Sequence, residues 1–224
     1  MNLADIRQSY ERGELRRADL LPDPFAQFDR WMADATAAGV VEPTAMSLAT
    51  GGADGVPRVR TVLLKGLDAR GFVFYTNRES RKGRALTGKD ARASLLFPWL
   101  ALERQVLVAG TVSRVSDEEA GRYFASRPYD SRLSAWASSQ SHAVGSRGEL
   151  EEEFAGLRAR FAAPDGGEGE VPLPPFWGGF RVRPETVEFW QGRPNRLHDR
   201  FEYTRLPDGD GNGNGGWKIE RLAP

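Results

Sequence analysis

The chain has 224 residues, 31 basic and 31 acidic side chains, two histidines and no cysteine. The lack of cysteine excludes a disulfide scaffold, thiolate metal sites and a cysteine nucleophile; two histidines (His142, His198) exclude a multi-histidine metal centre. The balanced charge argues against a general nucleic-acid binder. No apolar run reaches the ~18 residues of a membrane span, and the N-terminus shows no secretory pattern. The expectation is therefore a cytoplasmic protein without a metal site or a membrane or nucleic-acid partner. Only four basic residues are lysines (Lys65, Lys82, Lys89, Lys218), so each lysine stands out.

Residues 1–22 are polar and charged and read as a mobile arm or lid. Residues 24–38 carry Phe25, Phe28, Trp31 and Met32 at helical spacing behind the N-cap candidate Asp23. The texture then changes to short strands, expected at 44–50, 59–65, 72–76, 93–97 and 105–112, with turns at 51–55 and 68–71. Ser80 is placed to cap a short helix running to Leu86. Ser116 with Glu119, and Ser146 with Glu149, have capping-box spacing and open two further helices. A Gly/Pro-rich linker spans 164–175, and strands are expected at 181–190, 201–205 and 217–222. The fold class is mainly β with flanking helices (α+β), an antiparallel barrel forming one domain over 23–224.

Two motif matches fail on context. Gly211, Gly213 and Gly216 satisfy a dinucleotide-binding glycine pattern, but too few residues remain for the helix that must follow. Asp208, Asp210 and Asn212 begin like a calcium loop, but Ile219 stands where a bidentate Glu is needed.

Three clusters bear on chemistry. Ser80-Arg81-Lys82 puts two cations in a helix's first turn, against the helix dipole, unless an anion sits there; Thr76 and Arg60 are placed to complete such a cradle. The alternative is two solvated cations. Arg196, His198 and Arg200 share one face if the segment is extended, which suits an electron-rich or anionic ligand; the alternative is surface ion pairing with Asp199 and Glu202. Between two arginines, the pKa of His198 should fall. Tyr123, Arg127 and Ser131 offer a phenol, a guanidinium and a hydroxyl for a second phosphate, or else mark an ordinary helix end. Trp99, Trp136, Trp177 and Trp190 read as core or interface.

Taken together, Arg60-Thr61-Val62-Leu63-Leu64-Lys65, Phe74-Tyr75-Thr76-Asn77, Ser80-Arg81-Lys82, Leu95-Leu96-Phe97-Pro98-Trp99, Glu103-Arg104-Gln105-Val106, Phe176-Trp177-Gly178-Gly179-Phe180, Glu188-Phe189-Trp190-Gln191-Gly192, Arg196-Leu197-His198-Asp199-Arg200-Phe201 and the ending Trp217 to Pro224 resemble the pyridoxine/pyridoxamine 5′-phosphate oxidase family, in one order over nearly the whole chain. The resemblance implies an FMN-binding split β-barrel working as a homodimer with flavin sites between subunits. It implies oxidation of pyridoxine or pyridoxamine 5′-phosphate to pyridoxal 5′-phosphate, with O2 reduced to H2O2. By the same resemblance, Arg60, Thr61, Val62, Leu63, Leu64, Lys65, Tyr75, Thr76, Arg81, Lys82, Gln105, Gln140, Ser141, Trp190 and Arg200 contact FMN. Lys65, Tyr123, Arg127 and Ser131 hold the substrate phosphate. Arg196 and His198 are the catalytic pair beside the substrate ring, and Arg7 and Tyr10 close over it. The chain departs from the family pattern in a short arm before Arg7, a long 207–216 loop, and Arg193-Pro194-Asn195 just before the catalytic row. A related flavoenzyme, for example of phenazine assembly, and a non-catalytic binder of FMN or pyridoxal phosphate are the rival expectations.

Overall fold

The computed structural model describes residues 2, 9–52, 54–207 and 216–224. Arg7 and residues 208–215, which carry most of the glycine-rich loop and its two failed motifs, lie outside the described residues.

Asp23 accepts hydrogen bonds from the backbone N–H groups of Phe25 (3.2 Å) and Ala26 (3.4 Å). Pro24 fills the first helical position, where its missing N–H costs nothing. Helix α1 (Pro24–Ala37) therefore starts where its cap dictates. Its apolar face buries Phe28, Trp31 and Ala35 in the barrel core.

The barrel is one nine-stranded antiparallel sheet. The first strands are β1 (Ala45–Gly51), β2 (Pro57–Leu63), β3 (Gly66–Asp68) and β4 (Gly71–Asn77). After a short helix α2 (Arg81–Ala85) come β5 (Arg92–Trp99) and β6 (Arg104–Arg114). The order across the sheet is β2-β1-β5-β6-β7-β4-β3, with β7 spanning Trp177–Gln191. The outermost strands β2 and β3 are joined through Leu64 and Lys65, so the sheet curls back on itself. Alternate residues of β5 (Ala93, Leu95, Phe97, Trp99) point inward, as a period of two requires. β3 was not expected from the sequence. The turn at 68–71 proves to be a tight hairpin in which Asp68 pairs with Gly71, whose φ of 140° favours glycine.

Strand β7 is longer than expected because it serves two neighbours. Residues 177–182 pair with β4, and residues 186–191 pair with β8 (Asp199–Arg205), which in turn pairs with β9 (Trp217–Leu222). A register shift between Ala109 and Gly110 of β6, opposite Pro184, bends the strand between its two halves.

Ser116 and Ser146 cap α3 (Asp117–Ala125) and α5 (Arg147–Arg160) by accepting from the N–H groups of Glu119 (3.1 Å) and Glu149 (3.2 Å). Between them lies α4 (Tyr129–Ala137), a helix absent from the sequence reading. It follows Pro128 without a side-chain cap, and burial of Tyr129, Leu133 and Ala135 in a second apolar cluster holds it. That cluster also takes in Phe124, Leu157 and Trp177. In the segment read as an arm, Leu15 and Leu20 are buried in the main core, and Leu21 accepts a hydrogen bond from the Tyr203 hydroxyl at 2.7 Å. Among the described residues, no helix is long and apolar enough to cross a membrane.

Phe28 lies among Phe97 (4.8 Å between ring centres), Phe72 (5.0 Å) and Trp99 (5.8 Å). Phe28→Ala is expected to destabilise the protein by about 3–5 kcal/mol, read as a lowered urea midpoint.

Candidate active site

A cavity of about 460 Å³ opens where the end of β2, β4, α2, α3 and α4 meet the start of β7. Its size suits a small-molecule ligand. Thr61, Val62, Leu63 and Lys65 form one wall, Tyr75 and Thr76 a second, and Lys82, Tyr123, Arg127 and Gln140 much of the rest. Among the described residues, three cations line it and no carboxylate does.

Lys82 and Arg127 are held by the local fold, as is Arg60 on the neighbouring strand outside the lining, while Lys65 is exposed at the cavity wall. Ser80 caps α2 by accepting from the Gly83 N–H at 3.2 Å, which sets Lys82 on the cavity side. The Lys82 ammonium donates to the Gln140 side-chain oxygen at 2.6 Å, and the Thr76 hydroxyl donates to the same oxygen at 3.0 Å. Burial, and secondarily the Arg60 charge, bring the Lys82 pKa down to about 8. Arg60 is fixed by the Leu48 carbonyl (3.1 Å) and the Thr50 hydroxyl (2.8 Å). Arg127 lies over the Trp177 ring at 5.0 Å, and its buried Nη1 has no hydrogen-bond partner. Tyr123 stacks on Tyr75 at 4.1 Å with 16° between the ring planes.

Other expected residues lie around this cavity rather than in it. The Leu64 side chain is buried in the main core, since the inward and outward alternation of the strand turns it away from its neighbours. The Arg81 backbone N–H donates to the Ser141 hydroxyl at 3.2 Å, while the Arg81 side chain lines an adjacent cleft with Arg58 and Arg84. Ser131 is half-buried on α4, but the cavity is lined by Ser134 and Ser138 further along. These two serines and Trp177 and Asn77 were missed as site residues. Ser134 lies on α4 and Ser138 is its C-terminal cap, so their placement follows only once α4 is known to be a helix.

The remaining expected residues gather on a second face. Gln105, Trp190 and Arg200 line a separate hollow of about 370 Å³ with Leu96, Leu107, Glu188 and Pro224, and the two linings share no residue. Trp177 and Trp190 stand near opposite ends of β7, up to roughly 40 Å of strand apart at about 3.3 Å per residue. Tyr10, Trp190 and His198 form a ring cluster on this face, with Trp190 and His198 at 4.6 Å and Tyr10 and His198 at 5.7 Å.

The row Arg196, His198, Arg200 is not the extended one-face array that spacing alone allows. Asn195 and Arg196 take left-handed backbone angles (φ 57° and 62°) in a tight turn, and β8 begins only at Asp199. Arg200 is held by Glu188 through two hydrogen bonds of 2.7 and 2.9 Å rather than by Asp199 or Glu202. The His198 pKa is indeed lowered, but burial is the larger cause and Arg196 the second, with Asp199 opposing. Its Nδ1 accepts the Arg193 backbone N–H at 3.1 Å, so the neutral ring carries its proton on Nε2.

A family model described as pyridoxamine 5′-phosphate oxidase matches residues 32–161. A second, described as the pyridoxine 5′-phosphate oxidase C-terminal dimerisation region, matches residues 177–224. The chain belongs to the pyridoxamine 5′-phosphate oxidase family. A protein of Burkholderia multivorans named pyridoxine/pyridoxamine 5′-phosphate oxidase is 54% identical over 222 residues, 99% of each chain. One of Aeromonas hydrophila with the same name is 54% identical over 224 residues, all of each chain. Among solved structures, PhzG from Burkholderia lata, in complex with tetrahydrophenazine-1-carboxylic acid, superposes with a TM-score of 0.81 at 33% identity, covering 92% of this chain and 95% of that one. A pyridoxamine 5′-phosphate oxidase-related, FMN-binding protein from Nostoc punctiforme shares the fold, with a TM-score of 0.66 at 18% identity over 92% of this chain and all of that one. The family is thus one of oxidases, and the curled antiparallel sheet is its fold.

Lys82 gives the cavity a pH dependence. Its folded pKa lies below the ordinary 10.5, so the ammonium is present below about pH 8 and lost above it. Affinity for a phosphomonoester should fall as pH rises through 8, by at most about tenfold per unit, and Lys82→Met should flatten that profile in titration calorimetry. Without ligand the sign for stability is opposite: the cost of the buried ammonium is present below pH 8 and relieved between 8 and 10.5.

Proposed function

We propose that this protein oxidises pyridoxine 5′-phosphate and pyridoxamine 5′-phosphate to pyridoxal 5′-phosphate, with FMN as cofactor and O2 as oxidant. The observation that carries the reading is the carboxylate-free cavity with Lys65, Lys82 and the buried, unpartnered Nη1 of Arg127. A buried cation without a partner is costly, and phosphate oxygens are suited to a guanidinium.

The residues present fit the flavin nucleotide. Arg60 through Lys65, Tyr75, Thr76, Arg81, Lys82, Gln140 and Ser141 would hold it from one subunit. Gln105, Trp190 and Arg200 lie on a face too far along β7 to serve the same cavity, so they would come from the partner copy of a homodimer. The match to a dimerisation region over residues 177–224, which carry Trp190 and Arg200 of this face, supports that arrangement. When bound, FMN would supply acceptance of a hydride from the substrate C4′ carbon and passage of its two electrons to O2, which takes up two protons to give H2O2.

The chain's own residues bind and orient. Lys65, Tyr123, Arg127 and Ser131 would anchor the substrate phosphate away from the reacting carbon, which converts binding into alignment. Arg196 and His198 would meet the ring from the second face, and Arg7 and Tyr10 would close over it. His198, neutral at physiological pH with its proton on Nε2, is a hydrogen-bond donor there rather than a base. Tyr10 and Trp190 pack against its ring. An alcohol substrate would lose its hydroxyl proton to solvent along with the C4′ hydride and leave as the aldehyde; an amine would likewise lose an N–H proton and leave as an imine that water hydrolyses to aldehyde and ammonia, the proton and hydride together making up the two hydrogens of H2O2.

The PhzG likeness favours a second reading, a flavoenzyme acting on a reduced ring that bears a carboxylate and no phosphate. Purified protein given pyridoxamine 5′-phosphate and O2 should release H2O2 and pyridoxal phosphate in equal amounts; no peroxide would reject the first reading. The double variant Arg196→Ala with His198→Ala should lose about a hundredfold or more in turnover while the protein stays yellow. Arg127→Ala should raise KM for the phosphorylated substrate about 10- to 100-fold, the loss of one or two charge-assisted hydrogen bonds. An unchanged KM would favour the ring-carboxylate reading.

A further inference from the structure

We propose that Arg193 is a positioning residue that couples docking of the N-terminal arm to the tautomer of His198. The inference rests on the oxidase reading only in taking His198 as a catalytic group; the coupling itself is a property of the folded chain.

Arg193 faces both ways. Its backbone N–H donates to His198 Nδ1 at 3.1 Å. Its guanidinium donates to the Gly13 carbonyl at 2.9 Å and lies 3.6 Å from the Asp199 carboxylate and 3.9 Å from that of Glu14. Asp199 in turn accepts from the Leu15 backbone N–H at 3.1 Å and from Arg221 at 2.7 Å. The arm is tied a third time at Glu103, whose carboxylate accepts the Arg12 N–H at 2.9 Å and whose carbonyl accepts the Gly192 N–H at 2.7 Å. Gly192 has no side chain because the Tyr10 ring occupies that space, with its Cγ 2.8 Å from where a Cβ would stand. Residues 10–15 and 192–199 are therefore one interlocked unit, tied also through Asp199 and Glu103, and Arg193 is the member that donates both to the arm and to the His198 ring nitrogen.

The physical consequence concerns a proton. Nδ1 of His198 is an acceptor only while the Arg193 peptide plane points its N–H at the ring. Asn195 and Arg196, two and three residues on, sit in left-handed angles that an unrestrained chain avoids, so the turn needs external ties to keep that orientation. The guanidinium bonds to the arm and to Asp199 are such ties. With them in place the ring presents Nε2–H to the substrate side; without them both tautomers are populated.

The chain has two histidines, so ¹⁵N signals of the imidazoles in the purified full-length protein can be assigned with His142→Gln. In the parent protein His198 should show one tautomer, with Nδ1 unprotonated. Arg193→Ala should give a tautomer mixture together with about tenfold faster tryptic cleavage in the arm, the size expected from losing a charge-assisted hydrogen bond. Arg193→Lys, which keeps one cationic donor, should fall between the two and tests the same point if the alanine variant does not fold. An unchanged tautomer in both variants overturns the proposal, even if cleavage accelerates, because Arg193 would then be only a strap. The peroxide assay on the same preparations reports separately on the oxidase reading.

Discussion

Positive charge left without a carboxylate inside a walled cavity is the constraint to which the rest of the molecule answers. The chain does not lack acids, with 31 of them. Elsewhere it uses them: buried Arg181 is bound by Asp68 and Glu119 at 2.8 Å each, Arg78 by Asp117 at 3.0 Å, and Arg200 by Glu188. Around Lys82 and Arg127, among the described residues, it uses neutral amides and rings instead. Desolvating a cation without a counter-charge is unfavourable, and the lowered pKa of Lys82 records that cost. Such a site is more stable with an anion in it than without one.

The sheet makes that cavity and the second face inseparable. Strand β7 begins at the first with Trp177 and approaches its end at the second with Trp190. The bend opposite Gly110 lets one strand pair with β4 at one end and with β8 at the other. The residues proposed above to hold one ligand are thereby distributed between two surfaces of one subunit, an arrangement that a two-fold pairing of subunits would resolve by presenting each surface to the other's cavity.

Much of the fold could be read directly from the residues. The Asp23 cap, the Ser116 and Ser146 caps and the alternation in β5 are local signals, decided within a few residues, and each element lies where those signals put it. Helix α4 and strand β3 could not be read that way. The first has no cap and weak periodicity, and packing against α5 and Trp177 holds it; the second is three residues long and exists only through pairing with β4. Among the site residues, Lys82 and Arg127 stood out by residue type and placement. Ser134 and Ser138 did not, because one lies on α4 and the other at its C-terminal cap, and that helix was not legible.

The residues alone determined the class of fold, the absence of thiol and multi-histidine chemistry, and a family likeness spread along nearly the whole chain. Only the tertiary structure decided which of the likeness-bearing residues share a cavity, that Arg196 turns out of line through a left-handed backbone, and which nitrogen of His198 holds the proton. The reason is one of range. Caps and alternation are set by neighbours in the chain, whereas the burial of a charge or the partner of a ring nitrogen is set by groups that only folding brings near.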